Sequence, residues 1–302
     1  MITLDRVTDL RDTCEAARRD WKTVGLVPTM GFFHEGHRSL MRAARAEHDL
    51  VVVTVFVNPL QFGDEEDLDG YPRDLVGDSA AAEAEGVDVL FTPSVAEIYP
   101  EPTRTTVHVA GLTEGLCGAA RPTHFDGVTT VVAKLFSIVG RSTAYFGRKD
   151  AQQLAVVRRM GLDLDLPVTV VGCPVVREPD GLAMSSRNAY LSAEERGAAT
   201  VLSRALRAAA DAVVAGERDP AVLVRGIEAL VTREPLVDHE YAEVRRADDL
   251  EPIEHLDGEI LVAVAAQVGS ARLIDNVNLT IAGAEVVTDL GVISQRGAAI
   301  PR

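Results

Sequence analysis

Through the first 175 or so residues, two hydrophobic textures alternate along the chain. Short unbroken apolar or β-branched runs (24–27, 51–57, 87–91, 143–146 and 168–171) are separated by stretches whose apolar residues recur at helical spacing. The run Val51-Val52-Val53-Thr54-Val55-Phe56-Val57 has no polar alternation, which is the pattern of a strand covered on both faces. Leu40, Met41 and Ala44 mark a helix after the first run, and a second helix is expected at about 75–85. Val128, Val131, Val132, Leu135, Phe136 and Val139 form a helical stripe for which Asp126 is the candidate cap, and a further helix starts near Asp150. This β/α alternation predicts an α/β fold built on a doubly wound, Rossmann-like parallel sheet. In such sheets ligands bind beyond the carboxyl ends of the strands.

The texture changes after about residue 176. Ser192-Ala193-Glu194-Glu195 has capping-box spacing and predicts an Ala-rich helix running to near Gly216. Asp219-Pro220 opens a second helix that stops before Pro235, and strand-like runs follow at about 240–245, 259–268 and 271–275. Helices followed by strands predict a smaller α+β domain. The expected division is therefore 1–176 and 177–302, in keeping with a length that exceeds one typical domain. The acidic stretch Asp64-Glu65-Glu66-Asp67-Leu68-Asp69 reads as a solvated surface turn.

Charge narrows the function classes. Against 30 basic side chains stand 46 acidic ones, for a formal net charge of −16, and no long Lys/Arg run interrupts that field. Nucleic-acid backbone would be repelled, so a nucleic-acid partner is not expected. Cys14, Cys117 and Cys173 are odd in number and scattered, which suits reduced thiols rather than a disulfide frame or zinc site. The N-terminal residues lack a basic and apolar leader pattern, and no apolar stretch reaches membrane-spanning length. A cytoplasmic setting is the expectation.

The chemistry concentrates at the predicted strand ends. Pro28-Thr29-Met30-Gly31-Phe32-Phe33-His34-Glu35-Gly36-His37 reads as strand, tight turn and helix, with both imidazoles in the first helical turn. A helix N-terminus attracts phosphate oxygens, and Gly36 lets a flat ring or a phosphate approach the backbone. Metal binding, or a plain polar turn, remains the alternative for two histidines three apart. The run 51–57 ends in Asn58-Pro59-Leu60-Gln61-Phe62, where Gln61 suits a small polar substrate and Asn-Pro alone suits a turn. Asp78 follows Tyr71-Pro72-Arg73 on an expected helix, either as a Mg²⁺ ligand or as a surface carboxylate. Phe146-Gly147-Arg148-Lys149-Asp150-Ala151-Gln152-Gln153 repeats the strand–turn–helix layout, with Gln153 one turn into the helix and Lys149 either available for phosphate charge or, taken on this segment alone, simply a solvated lysine. Arg177 to Asn188 reads as a polar loop with a mobile, Gly-containing start; its Ser185-Ser186-Arg187 can wrap a triphosphate, with a plain interdomain loop as the alternative. P-loop, dinucleotide, nucleophile-elbow and H-E-x-x-H motifs are all absent from the sequence.

Six blocks in order resemble the pantothenate synthetase (pantoate–β-alanine ligase) family over residues 20 to 290 or so. They are Pro28-Thr29-Met30-Gly31 with His34-x-Gly36-His37, Phe56-Val57-Asn58-Pro59-x-Gln61-Phe62, and Tyr71-Pro72-Arg73, followed by Arg121-Pro122-x-His124-Phe125-x-Gly127-Val128, Phe146-Gly147-x-Lys149-Asp150-x-Gln152-Gln153, and Met184-Ser185-Ser186-Arg187-Asn188. The first and last are similar to the HxGH and KMSKS signatures of nucleotidylyl transferases. The resemblance implies an ATP-dependent ligase in which pantoate is adenylated and β-alanine then displaces AMP. By motif position it implies that His34, His37, Lys149, Ser185, Ser186 and Arg187 stabilise the phosphates. Pro28, Met30, Asn58, Gln61 and Gln153 would hold pantoate, while Gly36, Gly147, Asp150, Val176 and Met184 would line the ATP site. Asp78 would meet Mg²⁺, residues 177–302 would act as a lid over an ATP- and pantoate-binding domain, and the protein would be a homodimer. Arg148, Ala151 and Gly77 depart from the usual family residues. Two rivals are an HxGH adenylyltransferase serving a phosphate acceptor and a non-catalytic nucleotide sensor. Neutral Gln61 and Gln153 disfavour the first, and the retained His34, His37, Lys149 and Arg187 disfavour the second.

Overall fold

The computed structural model describes residues 1–63, 68 and 70–294. The acidic turn read at 64–69 therefore lies outside the described residues, Leu68 apart. The chain divides into two compact units: one of residues 1–33, 37–148 and 152–173, the other of residues 34–36, 149–151 and 174–302.

The first unit is an α/β layer structure. In chain order its elements are β1 (Ile2–Leu4), α1 (Val7–Arg19), β2 (Val24–Thr29), α2 (Glu35–Glu47), β3 (Leu50–Val55), α3 (Leu75–Ala84), β4 (Val89–Phe91), α4 (Val95–Ile98), α5 (Leu116–Ala120), α6 (His124–Val139), β5 (Ser142–Gly147), α7 (Ala151–Asp163) and β6 (Val168–Cys173). Six strands form one sheet in the order β1-β4-β3-β2-β5-β6, and every neighbouring pair is parallel. The order runs outward one way from β2 through β3 and β4, and the other way from β5 to β6, so β2 and β5 flank a topological switch point. Val51, Val52, Val53 and Thr54 are all fully buried, as expected of a strand covered on both faces, although pairing stops at Val55. Leu40, Met41 and Ala44 turn the inner face of α2 onto Val27, Val51 and Val53.

Asp126 is not a cap. Helix α6 already starts at His124, and the Asp126 carboxylate instead meets the Nδ1 of His108 at 2.8 Å.

The second unit holds β7 (Val176–Arg177), α8 (Ala193–Ala199), α9 (Val201–Val214), α10 (Pro220–Val231), β8 (Val237–Arg246), β9 (Gly258–Val268), β10 (Ala271–Ala282), β11 (Glu285–Asp289) and β12 (Val292–Ile293). Strands β8 to β11 form an antiparallel sheet in the order β11-β10-β9-β8, while β7 and β12 pair on their own in parallel. Leu202, Leu206, Leu223 and Ile227 of α9 and α10 pack with Ile260, Val262 and Val264 of β9 in one apolar core. The Ser192/Glu195 capping box forms, but the helix it opens is two helices broken at Thr200, whose hydroxyl bonds back to the carbonyl of Gly197. Strand β10 runs seven residues past the expected end at Asp275, since its alternation of buried and half-exposed positions continues to Ala282.

Candidate active site

Strand β2 delivers the first motif. Gly31 and Phe32 both take left-handed backbone (φ +89° and +54°), and Phe32 does so without the freedom of glycine. The Asp78 carboxylate of α3 holds this bend, accepting the main-chain N–H groups of Phe32 at 2.8 Å and Phe33 at 2.6 Å. Asp78 is 3% exposed. Burial pushes its carboxyl above the usual range, Asp74 adds to that, and the two N–H bonds work against it. A side chain at Gly31 would run into this carboxylate. The surface-carboxylate reading of Asp78 is therefore corrected: the residue is a buried brace.

His34 is not in the first turn of α2 but immediately precedes it. Its Nδ1 accepts the N–H of Gly36 at 3.1 Å, so the imidazole does the work of an N-cap. A Cβ on Gly36 would lie 2.8 Å from His34 Cε1 and 2.9 Å from Nδ1, so the glycine makes room for the histidine ring itself. The same Cβ would come within 4.0 Å of the Met184 Cβ, and both residues belong to the second unit. His37 sits in the first turn of α2, its ring 5.6 Å from that of Phe33.

Past the end of β3, Pro59–Gln61 make one 3₁₀ turn capped by Asn58. Asn58 is buried and, besides capping Leu60, ties three more partners: its Nδ2 donates to Gln61 Oε1 and to the Gly127 carbonyl, and its Oδ1 accepts from the Tyr99 hydroxyl at 2.9 Å. Burial pushes the Tyr99 phenol up to about 12, so it stays a donor. Gln61 is held at both ends. Its carbonyl accepts from Arg121 at 3.2 Å and pairs with His124 Nδ1 at 2.9 Å, while its Nε2 points to the Met30 sulfur at 3.2 Å. Gly127 explains itself here, because a side chain on it would overlap the main chain of Leu60. Pro28 and Met30, at and just past the end of β2, are half-buried.

Strand β5 ends at Gly147, and a 3₁₀ turn of Arg148–Asp150 follows. The Lys149 side chain is 16% exposed with its Nζ 3.7 Å from Asp150 Oδ1, which is not the geometry of a freely solvated lysine. Its carbonyl is fixed by Asn276 Nδ2 at 2.8 Å. Gln153 is half-buried on α7. Its neighbour Gln152, to which sequence reasoning gave no role, is buried and donates to the carbonyls of Leu112 and Gly115.

The stretch from Val176 to Asn188 lies in the second unit. Val176 and Met184 are buried and joined by a Met184 N–H bond to the Val176 carbonyl, while Ser185, Ser186 and Arg187 are half-buried. Its start, expected to be mobile, is tied by hydrogen bonds. Gly181 (φ +93°) closes a hydrogen-bonded turn with Glu178, and Arg177 spends its guanidinium on Asp275, Asn276, Gly181 and Leu290.

Fold and site together define a class: parallel α/β proteins whose polar, His- and Lys-bearing loops follow the two strands flanking the switch point. Comparison with known proteins names the family within it. Residues 2–278 match the family model described as pantoate-beta-alanine ligase. The chain is 56% identical to the pantothenate synthetase of Heliobacterium modesticaldum over 91% of its own length and 98% of that protein. A crystal structure of pantothenate synthetase from Thermus thermophilus is 48% identical, with a TM-score of 0.86 over 91% of this chain and 98% of that one. The pantoate-beta-alanine ligase of Francisella tularensis, crystallised with beta-gamma ATP and beta-alanine, is 31% identical, with a TM-score of 0.75 over 91% and 97% of the two chains. The chain belongs to the pantoate–β-alanine ligase family.

Proposed function

We propose that this chain joins pantoate to β-alanine at the expense of ATP, through an enzyme-bound pantoyl adenylate. A pantoate carboxylate oxygen attacks the α-phosphorus and the bond to pyrophosphate breaks. The β-alanine amine then adds to the acyl carbon and AMP leaves with the bridging oxygen. Catalysis of this kind needs positioning and charge stabilisation rather than a protein nucleophile.

The observation that supports the reading is the approach of Gly36, whose N–H bonds to His34, to Met184, the residue before Ser185-Ser186-Arg187. In this scheme His34, His37, Lys149, Ser185, Ser186 and Arg187 meet the phosphates. Gly36, Gly147, Asp150, Val176 and Met184 line the nucleotide. Pantoate takes Pro28, Met30, Asn58, Gln61 and Gln153; the Gln61 amide, fixed beside the Met30 sulfur, offers a neutral polar contact suited to a hydroxy acid. A phosphate acceptor would call for cations there instead.

Mg²⁺ is expected to travel with ATP, where it neutralises triphosphate charge. Asp78 fits that ion poorly. Both its oxygens are engaged by main-chain N–H groups, and among the described residues no three His, Cys, Asp or Glu side chains gather as a metal site. A cytoplasmic homodimer is the proposed setting, on the resemblance and on three buried cysteines that form no disulfide among the described residues; light scattering of the purified chain tests the dimer.

Mass spectrometry of the products from ATP, pantoate and β-alanine tests the activity. Pantothenate with AMP and pyrophosphate is expected. ADP, or no amide product, would refute the reading.

A further inference from the structure

Glu178 is 2% exposed, and a carboxylate that deep needs compensation. Arg196 of α8 supplies the charge: its Nη1 and Nη2 reach Oε1 and Oε2 at 2.9 and 2.7 Å. Asn188 adds a neutral donor, its Nδ2 meeting Oε1 at 3.2 Å. The same Nδ2 also donates to the Ala183 carbonyl at 3.1 Å, and the Asn188 main-chain N–H donates to the Ser185 carbonyl. Ala183 and Asn188 are the two residues that flank Met184–Arg187. The amide therefore closes the neck of that four-residue loop, and Glu178 fixes the amide.

Two further details favour this role over general packing. Among the described residues, Asn188 Oδ1 is buried with no hydrogen-bond partner, so the side chain serves through its donors alone. Turning the amide over would aim that oxygen at Glu178 and at a carbonyl, two acceptors. Arg196 is in turn seated by Asp180 Oδ2 at 3.0 Å, and Asp180 Oδ1 accepts the Leu182 N–H within the turn that precedes the loop.

We infer that Glu178, Arg196 and Asn188 are positioning residues that hold Ser185, Ser186 and Arg187 in the geometry that meets the ATP phosphates. The inference rests on the proposed assignment of Ser185–Arg187 to those phosphates. In this assignment the three act through the loop.

The test combines steady-state kinetics of Glu178→Gln, Asn188→Asp and Asn188→Ala with a double-mutant cycle against Arg187→Ala. Asn188→Asp keeps the shape and loses both donors. Misplacing the loop should cost about 10- to 100-fold in ATP use, kcat/KM for ATP, while KM for pantoate stays within about twofold. In the cycle, Arg187→Ala should cost much less in the Glu178→Gln or Asn188→Ala background than in the native one, because the loop is already displaced. If Glu178→Gln does not fold, the Asn188 variants carry the test, since they leave the Glu178–Arg196 pair intact. An effective Arg187→Ala beside neutral or strictly additive Glu178 and Asn188 variants overturns the positioning role alone. Equal losses toward ATP and pantoate overturn it as well, as they would signal a general structural role. An Arg187→Ala variant with native ATP kinetics overturns the phosphate assignment, and the positioning role with it.

Discussion

Asp78 holds Phe33 by its main chain: Oδ1 accepts the Phe33 N–H at 2.6 Å, and Oδ2 takes that of Phe32. The backbone bends left-handed just before His34 because a buried carboxylate is there to receive its donors. Hydrogen bonds to a charged acceptor contribute about 1.5–3 kcal/mol, so Asp78→Ala should lower the unfolding free energy by about that much and reduce turnover as well. Raising Mg²⁺ should not restore the activity. Recovery of native turnover at high Mg²⁺ would show instead that Asp78 acts through the metal. Thermal denaturation and a Mg²⁺ titration of the same variant make both checks.

Gly36→Ala should separate activity from stability. Alanine is the better helix former by about 1 kcal/mol, so the start of α2 gains locally. The added methyl must displace the His34 ring, which lies 2.8–2.9 Å from where the Cβ would be. Turnover should therefore fall by at least about 100-fold while the melting temperature stays near native. A Gly36→Ala variant with native kcat would mean that the ring position of His34 is immaterial to the chemistry.

How much of this was legible in the sequence follows from what periodicity reports. The β-branched run at 51–55 and the stripe on α6 showed which residues are buried, and the Ser192/Glu195 box marked a helix start, because each is a local property. The partner of a polar group is not local. Asp78 looked like a helix-surface acid or a metal ligand, since nothing nearby in sequence signals that Phe32 and Phe33, more than forty residues upstream, present their N–H groups to it. Glu178 and Asn188 were likewise part of a motif without a role. The break at Thr200 passed unseen because the Ala-rich pattern continues through it, and only Gly197 with a hydroxyl three residues on gave a hint. The candidate site residues were proposed from short local motifs, which is why the sequence could offer them at all.

Gln61→Ala should weaken pantoate use selectively. The Gln61 side chain is pre-set by Asn58 and Met30, so its loss removes one oriented contact and leaves the turn, which is held through the Gln61 carbonyl, in place. A cost of about 1–3 kcal/mol is expected in kcat/KM for pantoate, with KM for ATP little changed. Kinetics with each substrate varied in turn decide it; a defect confined to ATP would remove Gln61 from the pantoate pocket.

Acid stability should depend on Glu85. Burial raises the carboxyl of this residue, but hydrogen bonds and charge from Arg38 and Arg42 outweigh it and hold the group below the ordinary 4.5. With the folded value depressed, the unfolded chain takes up the proton first on acidification. The stabilisation is thus present above about pH 4.5 and lost as pH falls through the folded value. Glu85→Gln should lower stability at neutral pH and flatten the acid limb of the stability curve. An unchanged acid limb, followed by circular dichroism from pH 7 to 3, would contradict this.

The central claim is that pantoate is adenylated before the amine takes part, and single-turnover pyrophosphate release tests it most directly. Enzyme, ATP, Mg²⁺ and pantoate labelled with ¹⁸O in its carboxylate are mixed without β-alanine, and β-alanine is added afterwards. The account predicts a burst of about one pyrophosphate per active site in the first stage. The second stage should then discharge pantothenate together with AMP that carries one ¹⁸O. Pyrophosphate that appears only once β-alanine is present, or AMP without label, would contradict it.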